Sequence, residues 1–94
     1  MKVEWTRTAQ LDRDRLIDYL ETESAQTALI VDERIHDQVQ RLREFPDSGR
    51  RGRVPGTLEL VIRRTPYIAA YRVDGNAVIV LRLLHGAQKW PKAL

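Results

Sequence analysis

The side chains that could catalyse a reaction lie mostly in the second half of the sequence. An apolar run, LRLLH, ends on His85 and is followed by Gly86. Ribonuclease chemistry needs a general base for the 2′-hydroxyl, an acid for the leaving 5′-oxygen and cations beside the phosphate. Four residues on one predicted sheet face, His85, Glu59, Arg63 and Arg72, could supply these groups, and Arg82, predicted on the opposite face, completes the candidate set. The alternative, which the residues favour, is that His85 ends its strand, bonds to the backbone and packs under Trp90.

Arginines form the second group of candidates, and three of them share one loop. The loop PDSGRRGRVPGT (46–57) carries Arg50, Arg51 and Arg53. A guanidinium donates two parallel hydrogen bonds to phosphate or carboxylate, so this loop could bind a phosphate backbone, an acidic protein segment or an acidic target surface. A loop that only increases solubility is an equally good interpretation. The full set of candidates for binding a target or partner is Arg50, Arg51, Arg53, Arg63, Arg64, Arg82 and Trp90.

Several kinds of site are absent from the sequence. There is no cysteine, and the two histidines lie far apart, so no metal site is predicted. No phosphate-binding glycine loop or cofactor fingerprint is present, and we expect no cofactor. The charged N-terminus, MKVEWTRTAQ, does not resemble a signal peptide, and no apolar window approaches the length of a membrane span. These features predict a cytoplasmic protein without a membrane partner.

The net charge of +3 is divided unevenly along the chain. Residues 1–45 contain seven Lys and Arg against ten Asp and Glu, whereas residues 46–94 contain nine against three. The second half is therefore strongly basic. Such an imbalance favours an acidic binding partner, although a solvated basic face would look the same.

Two helices and four strands are predicted to position these residues. Residues 2–6 form the opening strand, and an amphipathic helix capped by Thr8 continues to about residue 21. A second helix begins at the cap Ser24 and ends before Pro46, with apolar residues at three- or four-residue spacing. Three β-rich runs follow, at 58–64, 67–73 and 77–85. We therefore expect a single α+β domain spanning 1–94, in which a helical hairpin packs on a mainly antiparallel four-stranded sheet in the order β-α-α-β-β-β.

The predicted turns, Thr65-Pro66 and Gly75-Asn76, fix the register of the last three strands. They place Glu59 opposite Arg72, on the face that also carries Leu83 and His85. Both faces of the sheet are then largely apolar. Two helices can cover only one of them, so the other must meet the C-terminal tail or a separate chain, which is a first indication of a protein partner.

The segment GRRGRVPGTLELVIRRTPYIAAYRVDGNAVIVLRLLHGAQKWP (49–91) resembles the C-terminal half of toxins of the RelE/ParE superfamily. The most specific pieces are GRRGRV (49–54), GTLELV (56–61), TPYI (65–68) and LHGAQKWP (84–91). The helical hairpin and the opening strand match as well, so the resemblance covers nearly the whole chain. It implies a small basic toxin that is neutralised by a cognate antitoxin and contacts operator DNA only through that antitoxin.

The same resemblance offers two targets. RelE-like toxins cleave messenger RNA on the ribosome with a cluster of basic residues and a tyrosine after the last strand, whereas ParE-like toxins inhibit DNA gyrase. Here the tail GAQKWPKAL (86–94) has no tyrosine or arginine, only Lys89 and Lys92. The sequence is therefore closer to ParE, with no catalytic residue favoured. The alternatives are a ribosome-dependent mRNA endoribonuclease and a non-toxic domain that only binds an antitoxin.

Overall fold

The computed structural model describes all 94 residues and confirms the α+β class and the predicted order of the main elements. Its two helices are α1 (Arg7–Glu23) and α2 (Ala25–Gln40), and a short 3-10 turn (Arg41–Arg43) extends α2. Its strands are β1 (Lys2–Trp5), β2 (Arg50–Arg51), β3 (Leu58–Val61), β4 (Tyr67–Asp74) and β5 (Ala77–His85). Neither helix is long and apolar enough to cross a bilayer.

The helical hairpin is tighter than predicted because a single residue joins its helices. Ser24 donates its N–H to the carbonyl of Leu20, and its hydroxyl accepts the N–H of Thr27 at 3.1 Å, so it ends α1 and caps α2. Its predicted role as a cap is therefore confirmed. The predicted cap Thr8 is wrong: Thr6 caps α1, because its Oγ1 accepts the N–H of Ala9 at 3.0 Å.

The sheet has five strands in the order β1-β5-β4-β3-β2, one more than predicted. β1 runs parallel to β5 and the other neighbours are antiparallel, so the mainly antiparallel character is confirmed. The additional strand β2 lies inside the predicted loop 46–57 and pairs only Arg50 with Glu59 and Arg51 with Leu58. A two-residue strand is too short to produce the alternation that identifies strands in a sequence.

The predicted pairing of Glu59 with Arg72 is wrong, because the loop between β3 and β4 is longer than two residues. Glu59 lies opposite Ala70, two positions away. The hydroxyl of Thr65 donates to the carbonyl of Ile62 at 2.9 Å and accepts the N–H of Tyr67, which stabilises a four-residue turn with Arg64 at a φ of +65°. A shift by two residues preserves the face on which each side chain lies.

A β-bulge in β5 changes those faces near its end. The predicted pairing holds from the turn as far as Tyr71 with Val80, and the register then shifts so that Ala70 lies opposite Arg82. One additional residue rotates every later side chain to the other face. Arg82 and Leu84 therefore lie on the face of Glu59, whereas Leu83 and His85 lie on the face that the helices cover. The prediction that His85 shares a face with Glu59 is wrong.

The main core lies between the helices and one face of the sheet. Its members are all nearly or completely buried: Ala9, Val31, Ile35, Val39, Ile62, Ala69, Val80 and Leu83. The opposite face is also buried at Ile68, Ala70 and Leu84. The tail begins directly against this face, because a Cβ added at Gly86 would lie 3.2 Å from Cδ1 of Ile68. Of the two covers that the sequence allowed for this face, the structure thus supplies the chain's own tail.

Candidate functional site

Glu59 lies at the centre of an ion-pair cluster on the tail-covered face. Its side chain is only 2% exposed, and Oε1 accepts hydrogen bonds from Nε and Nη2 of Arg50 at 3.2 and 3.0 Å. Oε2 accepts the backbone N–H of Arg53 at 2.8 Å and its Nε at 3.2 Å. Two of the three loop arginines predicted to bind a partner therefore hold the loop against β3.

The surroundings of Glu59 determine its charge. Burial raises its pKa, but hydrogen bonds from the Arg53 backbone and from the Arg50 and Arg53 guanidinium groups outweigh burial and hold the pKa below its usual 4.5. A carboxylate with a low pKa and occupied oxygens is a poor proton acceptor. The geometry is that of a structural anion, which the arginines neutralise.

The C-terminal tail is fastened to this cluster by Trp90. The Arg53 guanidinium stacks 3.9 Å from the centroid of the Trp90 ring, and the indole Nε1 donates to the carbonyl of His85 at 3.3 Å. The His85 ring accepts the N–H of Ala87 at Nδ1 and contacts the edge of Tyr67, with centroids 5.7 Å apart. His85 thus bonds to backbone at the end of β5, as the favoured role predicted, but its ring packs against Tyr67 rather than under Trp90.

Arg82 is paired within the molecule. Its Nε and Nη2 donate to the two carboxylate oxygens of Asp12 on α1 at 2.8 and 3.1 Å, and Asp12 also accepts the N–H of Leu83 at 3.0 Å. The hydrogen bonds that Arg82 donates to Asp12 raise the pKa of Arg82 above its usual value, while burial opposes this shift. The charge that interrupts the apolar strand therefore has an internal partner.

The five candidate ribonuclease residues do not converge on one site. Glu59 and Arg82 flank Ala70 on the tail-covered face, but each is bound to an internal partner. Arg72 is exposed and bonds to Asp74 at 3.3 Å. Arg63 lies beyond the end of β3, where its backbone N–H bonds to Gln38, and His85 lies on the opposite face.

The remaining arginines of the predicted binding set are free. Arg51, Arg63 and Arg64 are exposed and form no ion pair. Arg63 also lines a groove of about 640 Å³ beside β3, together with two residues that the sequence analysis missed, Arg41 and Phe45. Phe45 is 61% exposed. Its position just before Pro46, outside the apolar stripe of α2, is the sequence feature that could have identified it as a surface residue.

One wall of this groove depends on Tyr71, which leads to a first prediction. Tyr71 is fully buried, donates its hydroxyl to the carbonyl of Pro46 at 2.7 Å and accepts the N–H of Gly49 at 3.0 Å. Tyr71→Phe leaves both backbone groups without a partner, and we expect the free energy of unfolding to fall by about 2 kcal/mol. Urea unfolding monitored by circular dichroism measures the change.

Tyr67→Phe provides the matched control for Tyr71. Tyr67 is half-buried on the same strand, and its hydroxyl forms no hydrogen bond within the protein. We expect its removal to change the free energy of unfolding by about 0.5 kcal/mol or less. Equal losses for the two variants would contradict the structural role assigned to the Tyr71 hydroxyl.

Comparison with known proteins agrees with this architecture. Residues 3–90 match the model of the family described as the ParE toxin of the type II toxin–antitoxin system parDE. The chain is 38% identical over 93 residues to "Putative toxin Y4kP" of Sinorhizobium fredii (strain NBRC 101917 / NGR234), covering 99% of this chain and 96% of that protein. A chain of the solved chromosomal ParDE TA system from P. aeruginosa superposes with a TM-score of 0.82 and 32% identity, covering 90% of this chain and 95% of the other.

Proposed function

Because this chain belongs to the ParE toxin family of type II toxin–antitoxin systems, we propose that it arrests growth by binding and inhibiting DNA gyrase in the cytoplasm, and that a cognate antitoxin neutralises it. The family match spans residues 3–90, so the proposal applies to nearly the whole chain. The action on gyrase is by surface contact, without a chemical step at this protein.

The observation that carries this proposal is that the two candidate acid–base groups, Glu59 and His85, lie on opposite faces of the sheet and are each bound within the molecule. Glu59 is an anion held by Arg50 and Arg53, and Arg82 is bound to Asp12. His85 lies on the other side of the sheet from both and accepts a backbone hydrogen bond. General acid–base catalysis needs two titratable groups within reach of one substrate. This arrangement favours inhibition by contact over RNA cleavage.

The free arginines support a contact mechanism. Arg51, Arg63 and Arg64 are exposed and unpaired, and they belong to the basic half of the chain. Unpaired guanidinium groups suit an acidic protein surface because each can bind a carboxylate through two hydrogen bonds. Either gyrase or the antitoxin can use this surface, and competition between them would explain neutralisation.

A gyrase assay combined with His85→Ala tests the proposal. We expect purified toxin to block supercoiling of relaxed plasmid by gyrase, and His85→Ala to retain this activity within about twofold, provided that circular dichroism shows it folded. In a translation reaction, the message is expected to remain intact with either protein. Blocked supercoiling is what inhibition of gyrase predicts. Activity retained by His85→Ala and an intact message are what a mechanism without RNA cleavage predicts.

Other outcomes would replace this proposal. Codon-phased breaks in the message that disappear with His85→Ala would identify a ribosome-dependent endoribonuclease. Normal growth when the protein is expressed without an antitoxin, with gyrase unaffected, would identify a non-toxic domain that only binds an antitoxin.

A further inference from the structure

The outer edge of β3 is only partly paired. β2 covers Leu58 and Glu59 but not Val61. The N–H of Ile62 bonds to the carbonyl of Tyr67, which places Ile62, and by alternation Leu60, in hydrogen-bonded positions toward β4. Glu59 and Val61, which alternate with them, direct their backbone groups away from β4. Glu59 meets Arg50 there, whereas the N–H and C=O of Val61 point outward with no strand beside them.

The chain leaves this edge just where Val61 would need a partner. Continued pairing of β2 would bring Ser48 opposite Val61, but the N–H of Ser48 bonds instead to the carbonyl of Phe45. The next residue, Gly49, is held by the hydroxyl of Tyr71, and a Cβ there would lie 2.6 Å from that hydroxyl oxygen. The departure from the edge is thus fixed by buried contacts, which keeps the edge at Val61 open.

The open edge borders the groove of about 640 Å³, which has an apolar and a basic part. Phe45 is 61% and Val61 44% exposed, so the groove presents apolar surface beside unpaired backbone groups. Arg41, Arg50 and Arg63 line it, and Glu44 is the one free carboxylate among its residues, since Glu59 is neutralised by Arg50 and Arg53. An exposed strand edge of this kind is a template for pairing with another chain.

The charge selects among possible occupants of the groove. Two copies of this chain joined edge to edge would place Arg50 and Arg63 of one copy close to the same residues of the other, which like-charge repulsion disfavours. A chain with acidic residues at alternate positions would instead pair with Arg41 and Arg63, since Arg50 is bound to Glu59. Its intervening apolar side chains would contact Phe45 and Val61.

We propose that an extended, acidic segment of the cognate antitoxin adds to the sheet at Val61, pairing with its N–H and C=O and filling the groove beside Phe45. This inference rests on the proposed antitoxin binding and specifies where and how it occurs. The segment becomes a further strand, antiparallel or parallel to β3, and its carboxylates pair with Arg41 and Arg63.

Amide hydrogen exchange tests this placement directly. The toxin is co-expressed with the protein encoded by the neighbouring reading frame, and exchange is measured by NMR in the complex and in free toxin. We expect the Val61 amide to exchange at least about 100-fold more slowly in the complex, because a new hydrogen bond must break before exchange. The amide of Ile62, already bonded to Tyr67, is the internal reference.

Two substitutions at one position separate the backbone contact from the side chain. Val61→Pro removes the outward N–H, which an edge strand tolerates, whereas Val61→Ala shortens the side chain and keeps the N–H. We expect antitoxin affinity to fall at least tenfold with Val61→Pro and no more than about threefold with Val61→Ala. Circular dichroism establishes whether each variant is folded. If Val61→Pro is unfolded, the hydrogen-exchange experiment by itself tests the placement.

The outcomes separate this inference from the proposed function. If the neighbouring protein does not bind the toxin at all, the proposed neutralisation fails and this inference fails with it. Binding that leaves the Val61 amide unprotected and is unaffected by Val61→Pro would overturn the edge placement while antitoxin binding stands. Protection of Val61 through self-association of free toxin would overturn it in favour of a second copy of this chain.

Discussion

Asp12→Ala is expected to lower the free energy of unfolding by about 3 kcal/mol, a large share of the total for a domain of this size. The carboxylate accepts two hydrogen bonds from Arg82 and one from the Leu83 N–H, and its side chain is only 12% exposed. Its removal leaves the Arg82 guanidinium, which is 26% exposed, without a counter-charge. Because water partly screens this charge, we expect a loss of stability near the lower end of the range for broken buried ion pairs. Urea unfolding at pH 7 measures it.

A mutant cycle identifies the pair as the cause. Arg82→Met removes the charge that Asp12→Ala leaves unpaired, so the double variant should be more stable than Asp12→Ala alone. Asp14→Ala is the matched control on the same helix, because Asp14 is exposed and contacts only Gln10, and we expect a change of about 0.5 kcal/mol or less. A double variant with fully additive losses would contradict the pairing.

The Asp12 contact also explains why the two edges of the sheet behave differently. β1 pairs with β5 only as far as Val80. Beyond it, the Thr6 hydroxyl donates to the carbonyl of Leu81, and Asp12 accepts the N–H of Leu83. The start of α1 thus satisfies the edge of β5 that β1 leaves uncovered. On the β3 edge, Gln38 of α2 likewise bonds to the N–H and C=O of Arg63, but nothing covers Val61, which leaves this position available to another chain.

Much of the fold followed from patterns that extend over many residues. The apolar residues of α2 recur at three- or four-residue spacing in the sequence, and three of them, Val31, Ile35 and Val39, lie in the core. The two long strands β4 and β5 were visible as β-rich runs around a glycine turn, and Gly75 has the positive φ expected there. Patterns of this length survive local irregularities because several residues must agree with them.

Local irregularities decided what the sequence could not predict. The Thr65 hydroxyl lengthened one turn and a single bulged residue rotated the end of β5, and neither leaves a distinctive signal. The candidate site depended on that rotation, because it moved His85 away from Glu59. The partner of Arg82 was also unreadable, since Asp12 precedes it by 70 residues.

Glu59→Gln is expected to lower the free energy of unfolding at pH 7 by about 3 kcal/mol. The amide replaces one acceptor oxygen with an NH₂ group, which faces the N–H donors of Arg53 or Arg50 and cannot accept from them. Hydrogen bonds to a charged group contribute about 1.5–3 kcal/mol each, and the half-exposed arginines recover part of the loss in water. Denaturant unfolding from pH 7 to pH 3 measures both proteins.

The pH dependence gives the sharper test of Glu59. Its pKa in the folded protein lies below the unfolded value of 4.5, so its contribution is fully present above pH 4.5 and is lost as the pH falls through the folded value. The stability difference between the wild type and Glu59→Gln should therefore shrink on acidification. Glu21 is an exposed carboxylate without a partner. The free energies of unfolding of the wild type and Glu21→Gln should therefore be almost equal at any pH. A constant gap for Glu59→Gln down to pH 3 would mean that its charge does not hold Arg50 and Arg53 in place.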